Sequence, residues 1–372
     1  MKSAETKSAE KLKAKKEENT KTRRTAGDWF LTSGIQESTG GVARYYFSDR
    51  ERNAPLSTEI TGYAVSALTN FYKQTADVTY LDAAIKAACY LVRAWNDKCS
   101  AMPFETEGEG QNLSFFFDNG IIIRGLLSVW REFKKDEFLD TAIKVGDSMA
   151  QDFADGVDFV PILELPAKTQ LPRDPARWSR SSACYQLKAA LGWYALWEAT
   201  NQDRFLDCYR RMLKSSLTSH SSFLPGVESE YLVMDRLHAY CYFLEGMLPV
   251  ANEPVCAQAM LSGIDRVATF VRAISRKFLR SDVIAQAFRV RLFADQLRIK
   301  PLDEIAAEAD AEIMQSFQST ENNPHLNGGF WFGKRDGQML PFMNPVSTAF
   351  CNQALEMWNQ RTAQIFNWRS LV

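Results

Sequence analysis

Long apolar runs are missing from this 372-residue chain. No window approaches the ~18 apolar residues that cross a bilayer, and the best candidate, Ile121–Leu127, is interrupted by Arg124. A membrane span is excluded on that ground. Histidine is scarce, with only His220, His238 and His325, and the seven cysteines are odd in number with no CxxC spacing. That pattern offers no zinc set and no disulfide framework, so free thiols in a reducing compartment are expected, with the cytoplasm as default. The net charge of −1 gives no basic field for nucleic acid. No GxGxxG precedes a helix, and there is no Walker loop, GxSxG or HExxH. No cofactor or metal is expected.

What remains is a well-filled globular chain, 46% hydrophobic and 12% aromatic, which is enough for a large core. Residues 1–24 stand apart: nine Lys or Arg, four Glu and a single Leu make a polar segment of about +5, which leaves about −6 elsewhere. It has no apolar h-region and is expected to be a disordered, solvated tail, with 25–372 as one domain.

The chain is organised around Phe115-Phe116-Phe117-Asp118-Asn119-Gly120, followed by Ile121–Leu127. A helix greasy on nearly all sides is a buried helix. Asp118 falls at its start, where a carboxylate can take the unpaired N–H groups of the first turn. The arrangement repeats. Greasy helices are expected at Glu59–Lys73, Asn119–Phe133, Cys184–Thr200, His238–Val250, Val283–Leu297 and Val346–Gln360. Amphipathic partners follow, three of them opening on aromatic-Leu-Asp: Tyr80-Leu81-Asp82, Phe138-Leu139-Asp140 and Phe205-Leu206-Asp207. The last greasy helix has no partner after it, and a short helix around Trp29 has none before it, so pairing the two closes a ring. Both chain ends also carry Gly-Gly, an aromatic segment, a loop and Pro-x-Ser-Thr (Gly40 to Thr58, Gly328 to Thr348). These features predict an all-α fold, an (α/α)6 toroid of six hairpins with short strand-like segments in the loops before the inner helices. An open solenoid is the alternative, but its ~34 to 47-residue repeats are shorter than the spacing of these marks.

In such a toroid the inner helices start at one end, where their dipoles favour acids and anionic ligands. The loops feeding that end carry Arg44, Tyr46, Trp178, Arg180, Arg236 and Trp331. Flat aromatic faces beside guanidinium forks suit a saccharide that bears a carboxylate. Glu59, Asp118, Asp235 and Asp282 stand at inner-helix starts. Glycoside hydrolysis needs two such carboxyl groups, one kept protonated. Asp235-Arg236-Leu237-His238-Ala239-Tyr240 adds a second set: Asp235 and His238 share a helix face, and Tyr240 points away.

The hairpins, the aromatic-Leu-Asp marks, Phe117-Asp118-Asn119-Gly120 and Ser57-Thr58-Glu59-Ile60-Thr61-Gly62-Tyr63 together resemble the six-hairpin glycosidase-like superfamily. It includes unsaturated glucuronyl hydrolases, N-acylglucosamine epimerases, several polysaccharide lyases and a domain of glucuronyl C5-epimerase. The resemblance implies a carbohydrate-active enzyme, first a glycoside hydrolase on an acidic oligosaccharide. Asp118 would be general acid/base, Asp235 or Glu59 its partner, and Arg180 and Arg236 would hold the carboxylate. An epimerase or lyase would instead draw on His238, Tyr240 and Glu59 to move a proton. A toroidal binding or scaffold protein without catalysis is the third expectation.

Overall fold

A computed structural model describes residues 26–156, 158–174, 177–225 and 229–372, with the side chains of positions 109 and 111 set aside. The expected 1–24 tail lies outside the described residues. Twelve helices are seen among them. Helix α1 (26–32) comes first. Five hairpins follow: α2 (Thr58–Thr75) with α3 (Val78–Ala94), α4 (Phe116–Phe133) with α5 (Asp136–Asp152), α6 (Gln186–Thr200) with α7 (Asp203–Ser219), α8 (Glu230–Gly246) with α9 (Pro254–Ile274), and α10 (Ser281–Gln296) with α11 (Glu304–Gln315). Helix α12 (Pro345–Gln360) ends the series.

The even-numbered helices are buried on most sides and pack in sequence, α2 on α4, α4 on α6, onward to α10 on α12. Helix α12 then packs on α2, so the inner ring is closed. Glycines let the inner helices approach closely. A side chain at Gly120 would strike the Ala189 carbonyl of α6, and one at Gly125 the Gly62 carbonyl of α2. The odd-numbered helices form the outer layer. Their exposed faces are polar, as at α7, which buries only Phe205, Tyr209, Met212, Leu213 and Ser216.

The chain ends are joined a second time by short strands. Tyr46–Phe47 pairs with Arg52–Asn53 on one side and with Phe342–Met343 on the other. Trp29 is fully buried and donates its indole N–H to the His325 carbonyl at 2.9 Å, while Phe30 meets Phe71 of α2. The architecture is the closed toroid expected from the repeats, and the solenoid alternative is set aside.

Two elements differ from expectation. Helix α8 starts at Glu230, well before His238: Glu230, Tyr231, Asp235 and Arg236 are half-buried and Leu232 is exposed, while Val233 and Met234 anchor the turn in the core. The segment after α12 turns back under the ring. There Leu371 and Val372 are buried, and Arg124 donates to the Leu371 carbonyl at 2.6 Å and the Trp368 carbonyl at 3.2 Å. No helix among the described residues is long and apolar enough to cross a membrane.

Candidate active site

Four of the six inner helices contribute first-turn residues to one cavity of about 290 Å3, and the other two reach it from nearby positions. Glu59 and Ile60 come from α2, Phe117 and Asp118 from α4, Asp282 from α10 and Val346 from α12, with Tyr185 just ahead of α6. Helix α8 begins earlier than the others, so residues further along it, His238 and Tyr242, reach the same level. Phe104, Phe115, Trp178 and Arg280 complete the aromatic and charged parts of the wall.

Asp118 lies in the first turn of α4, but it is not the cap, which falls on Phe115. Its Oδ2 is buried with no hydrogen-bond partner. A naked buried carboxylate is costly, so the group keeps its proton. Burial, reinforced by the nearby Glu59 carboxylate, pushes the Asp118 carboxyl well above its ordinary range. Burial likewise pushes Glu59 up to about 7, against the pull of Arg44. The two carboxyl groups feel each other's charge and share protons as a pair. Arg44 is itself turned to Glu105 at 3.2 Å and lies over the Phe104 ring.

The opposite wall is built differently. Arg280 grips Asp282 with two parallel hydrogen bonds, Nε to Oδ1 at 3.0 Å and Nη2 to Oδ2 at 2.6 Å, and gives Nη1 to Asp235 at 2.7 Å. Burial works against the Asp282 charge, but Arg280 more than offsets it and holds this carboxyl below its ordinary range. His238 places Nδ1 2.6 Å from Gln286 Oε1 and 3.5 Å from Asp282 Oδ2. Since that amide oxygen only accepts, Nδ1 carries the proton and Nε2 keeps its lone pair. Burial, with Arg280 adding to it, pushes the imidazole down to about 4, so it is neutral at pH 7. Among the described residues, no group of three or more His, Cys, Asp or Glu could hold a metal ion.

Solved structures share this architecture. A cellobiose 2-epimerase from Spirochaeta thermophila DSM 6192 superposes with a TM-score of 0.70 at 13% identity, over 90% of this chain and 94% of that one. A D-mannose isomerase gives 0.67 at 10% identity, over 91% and 98%. A glycoside hydrolase family 76 mannosidase from Bacteroides thetaiotaomicron VPI-5482 gives 0.55 at 11% identity, over 92% and 99%. The fold is that of the six-hairpin toroids. No family model matches the sequence, and no curated protein matches it either.

Within the toroid, the residues singled out from sequence separate into two groups. Glu59, Asp118, His238 and Trp178 line the cavity together. Asp235 stands one turn above it, half-exposed, with its carboxylate on Arg280. Arg236 points away and donates from Nε and Nη2 to the Phe223 carbonyl, with its guanidinium over that ring. Tyr240 faces the outer layer, where its hydroxyl meets His220 Nδ1 at 3.0 Å. Tyr46 stacks on His325 and pairs in the strand that joins the chain ends. Trp331 bridges to Met343, and its carbonyl accepts the Ser281 hydroxyl. Arg180 follows the lining residue Ser179 without itself lining the cavity. Sequence reasoning missed Gln286, Tyr185 and Tyr242 as parts of the site. Tyr242 alone had a signal, four residues after His238 on the same helical face. Its hydroxyl accepts from Tyr63 at 3.1 Å.

Proposed function

We propose that this toroid is a carbohydrate-active enzyme, and that it cleaves a glycosidic bond with Asp118 and Glu59 as its acid/base pair. The observation that carries the reading is that Asp118 lines the cavity beside a second carboxyl group, with its Oδ2 buried and unpartnered. A carboxyl that serves only as a helix cap has its oxygens on backbone N–H groups. Here a backbone N–H reaches the carboxyl but Oδ2 is left without a partner, and burial raises the group well above its ordinary range, which favours the protonated state a general acid needs before it protonates a leaving oxygen. Glu59, titrating near neutrality beside it, is suited to take a proton from water or to stabilise positive charge on the sugar ring. Phe104, Phe117, Trp178 and Tyr242 supply ring faces for a sugar to lie against. Several toroids of like fold are named as glycoside hydrolases or sugar epimerases, which supports a saccharide as the substrate class.

Asp118→Asn tests the reading directly. It preserves shape and removes the titrating proton, so release of new reducing ends from a saccharide panel falls ~10²-fold or more, with melting temperature little changed. Activity that survives the substitution removes Asp118 from the chemistry.

A second reading has its own observation. His238 is neutral, oriented by Gln286, and free at Nε2, which suits proton abstraction from a sugar carbon in an epimerase or isomerase. Solvent deuterium incorporated into sugar without cleavage, and lost in His238→Gln rather than in Asp118→Asn, would favour it.

A further inference from the structure

We propose that the sugar unit held in this cavity carries no carboxylate: the site takes neutral sugars, prefers protonated amino sugars, and rejects uronates. The proposal rests on the cavity being a saccharide site, and it runs against what the arginine-rich loops lead one to expect.

Charge around the wall is unevenly matched. Glu59, Asp118 and Asp282 line the cavity, and Arg280 is the only Lys or Arg that lines it among the described residues. That guanidinium is already committed to two carboxylates, with both Asp282 oxygens and Asp235 Oδ1 on its three nitrogens. An incoming carboxylate at Arg280 would meet a group that its own partners over-neutralise. Arg44, behind Glu59, is balanced by Glu105. Arg236 is turned to the Phe223 carbonyl, and Arg180 is not part of the wall. Residues 175–176 and 226–228 are Pro, Ala, Gly, Val and Glu, so those loop positions add no Lys or Arg. His238, with Nδ1 spent on Gln286, offers a lone pair and no charge.

With one proton shared by Glu59 and Asp118, two of the three lining carboxyl groups stay charged, Asp235 adds a carboxylate from above the wall, and a single guanidinium faces them, so the site is negative. In a recess of low polarity such an imbalance acts with little screening. An ammonium group would be drawn in, and a carboxylate would lose its hydration without gaining a donor fork.

The test uses the full chain and matched trios of methyl glycosides in the gluco, manno and galacto series: neutral, 2-amino and uronate. Binding is read by calorimetry at pH 7 and low salt, independent of turnover. The expected order within a trio is amino, neutral, uronate, with about tenfold or more between the ends, narrowing as salt is raised. Asp235→Asn, which removes a charge without altering a lining carboxyl, should shrink the gap severalfold. A uronate that binds as well as or better than its neutral counterpart overturns the proposal and leaves the saccharide site standing. If no member of any trio binds, the saccharide reading falls and the proposal falls with it.

Discussion

At the scale of single residues, Glu59 carries a prediction that needs no substrate. Its carboxyl is pushed up to about 7 by burial, against an ordinary value of 4.5. The folded protein therefore holds a proton that the unfolded chain releases between those values. Stability from this group is fully present below about 4.5 and is lost as pH rises through 7, by up to ~3 kcal/mol. Glu59→Gln removes the titration and keeps the shape. Above pH 8 the variant should be more stable than the wild type, and near pH 4.5 the two should converge. Denaturant melts at several pH values check this; a variant less stable at every pH would mean the carboxylate is better satisfied than its surroundings indicate. How legible the residues were follows from the same physics. Glu59 and Asp118 could be found because an acid before a greasy helix is conspicuous. Gln286 could not, because a buried amide inside a helix is placed by tertiary packing and leaves no local mark.

At the scale of elements, the hairpin turns carry a repeated device that the sequence hides. Helices α2, α4 and α6 each end on a left-handed residue whose N–H reaches back four residues: Ala76 to Tyr72, Lys134 to Trp130 and Asn201 to Trp197. Glycine usually marks this position, and here only Asn201 hints at it. The φ of 55° at Lys134 is strained for a side chain with a Cβ. Lys134→Gly should relieve that strain and raise stability by ~0.5 to 1 kcal/mol, net of glycine's greater unfolded-state freedom. A drop in melting temperature would show that the Lys134 ammonium over Trp130 is worth more than the strain. The greasy inner helices were legible throughout, since full burial leaves no polar face to misread. The start of α8 was not, because the charged residues Glu230, Asp235 and Arg236 bracket its first apolar ones and so read as loop.

At the scale of the whole molecule, the ring could be read from both ends of the chain because closure demands complementary ends, and Tyr46–Phe47 against Phe342–Met343 supplies them. The segment after α12 was passed over. Residues 361–372 are short, polar in part and without periodicity, yet they occupy the end of the ring opposite the cavity. Four buried ionisable side chains meet there: Arg124, Lys188, Glu245 and Arg289, one from each of α4, α6, α8 and α10. Glu245 is paired with Lys188 at 2.9 Å and Arg289 at 2.5 Å, and those two cations, Arg289 foremost, hold it ionised despite burial. One carboxylate cannot serve Arg124, Lys188 and Arg289 together, even with burial drawing Lys188 down to about 7. The returning segment makes up the difference with backbone oxygens, those of Leu371 and Trp368 to Arg124 and that of Val372 to Lys188, while Gln353 of α12 donates to the Ser370 carbonyl and accepts from the Val372 N–H. A chain ending at Gln360 should therefore lose far more than the apolar area of Leu371 and Val372. Leaving buried charged donors without acceptors costs ~1 to 3 kcal/mol each or more, and leaving a buried cation without a counterpart costs more still. The truncated protein is expected to melt many degrees lower or to be recovered unfolded. Arg124→Met in the truncated chain should restore part of the loss, since an apolar side chain of similar volume needs no acceptor, whereas the same substitution in the full chain should gain little. If truncation leaves the melting temperature unchanged, or if Arg124→Met fails to help where the segment is missing, the segment is a cover over the ring and the charges are satisfied without it.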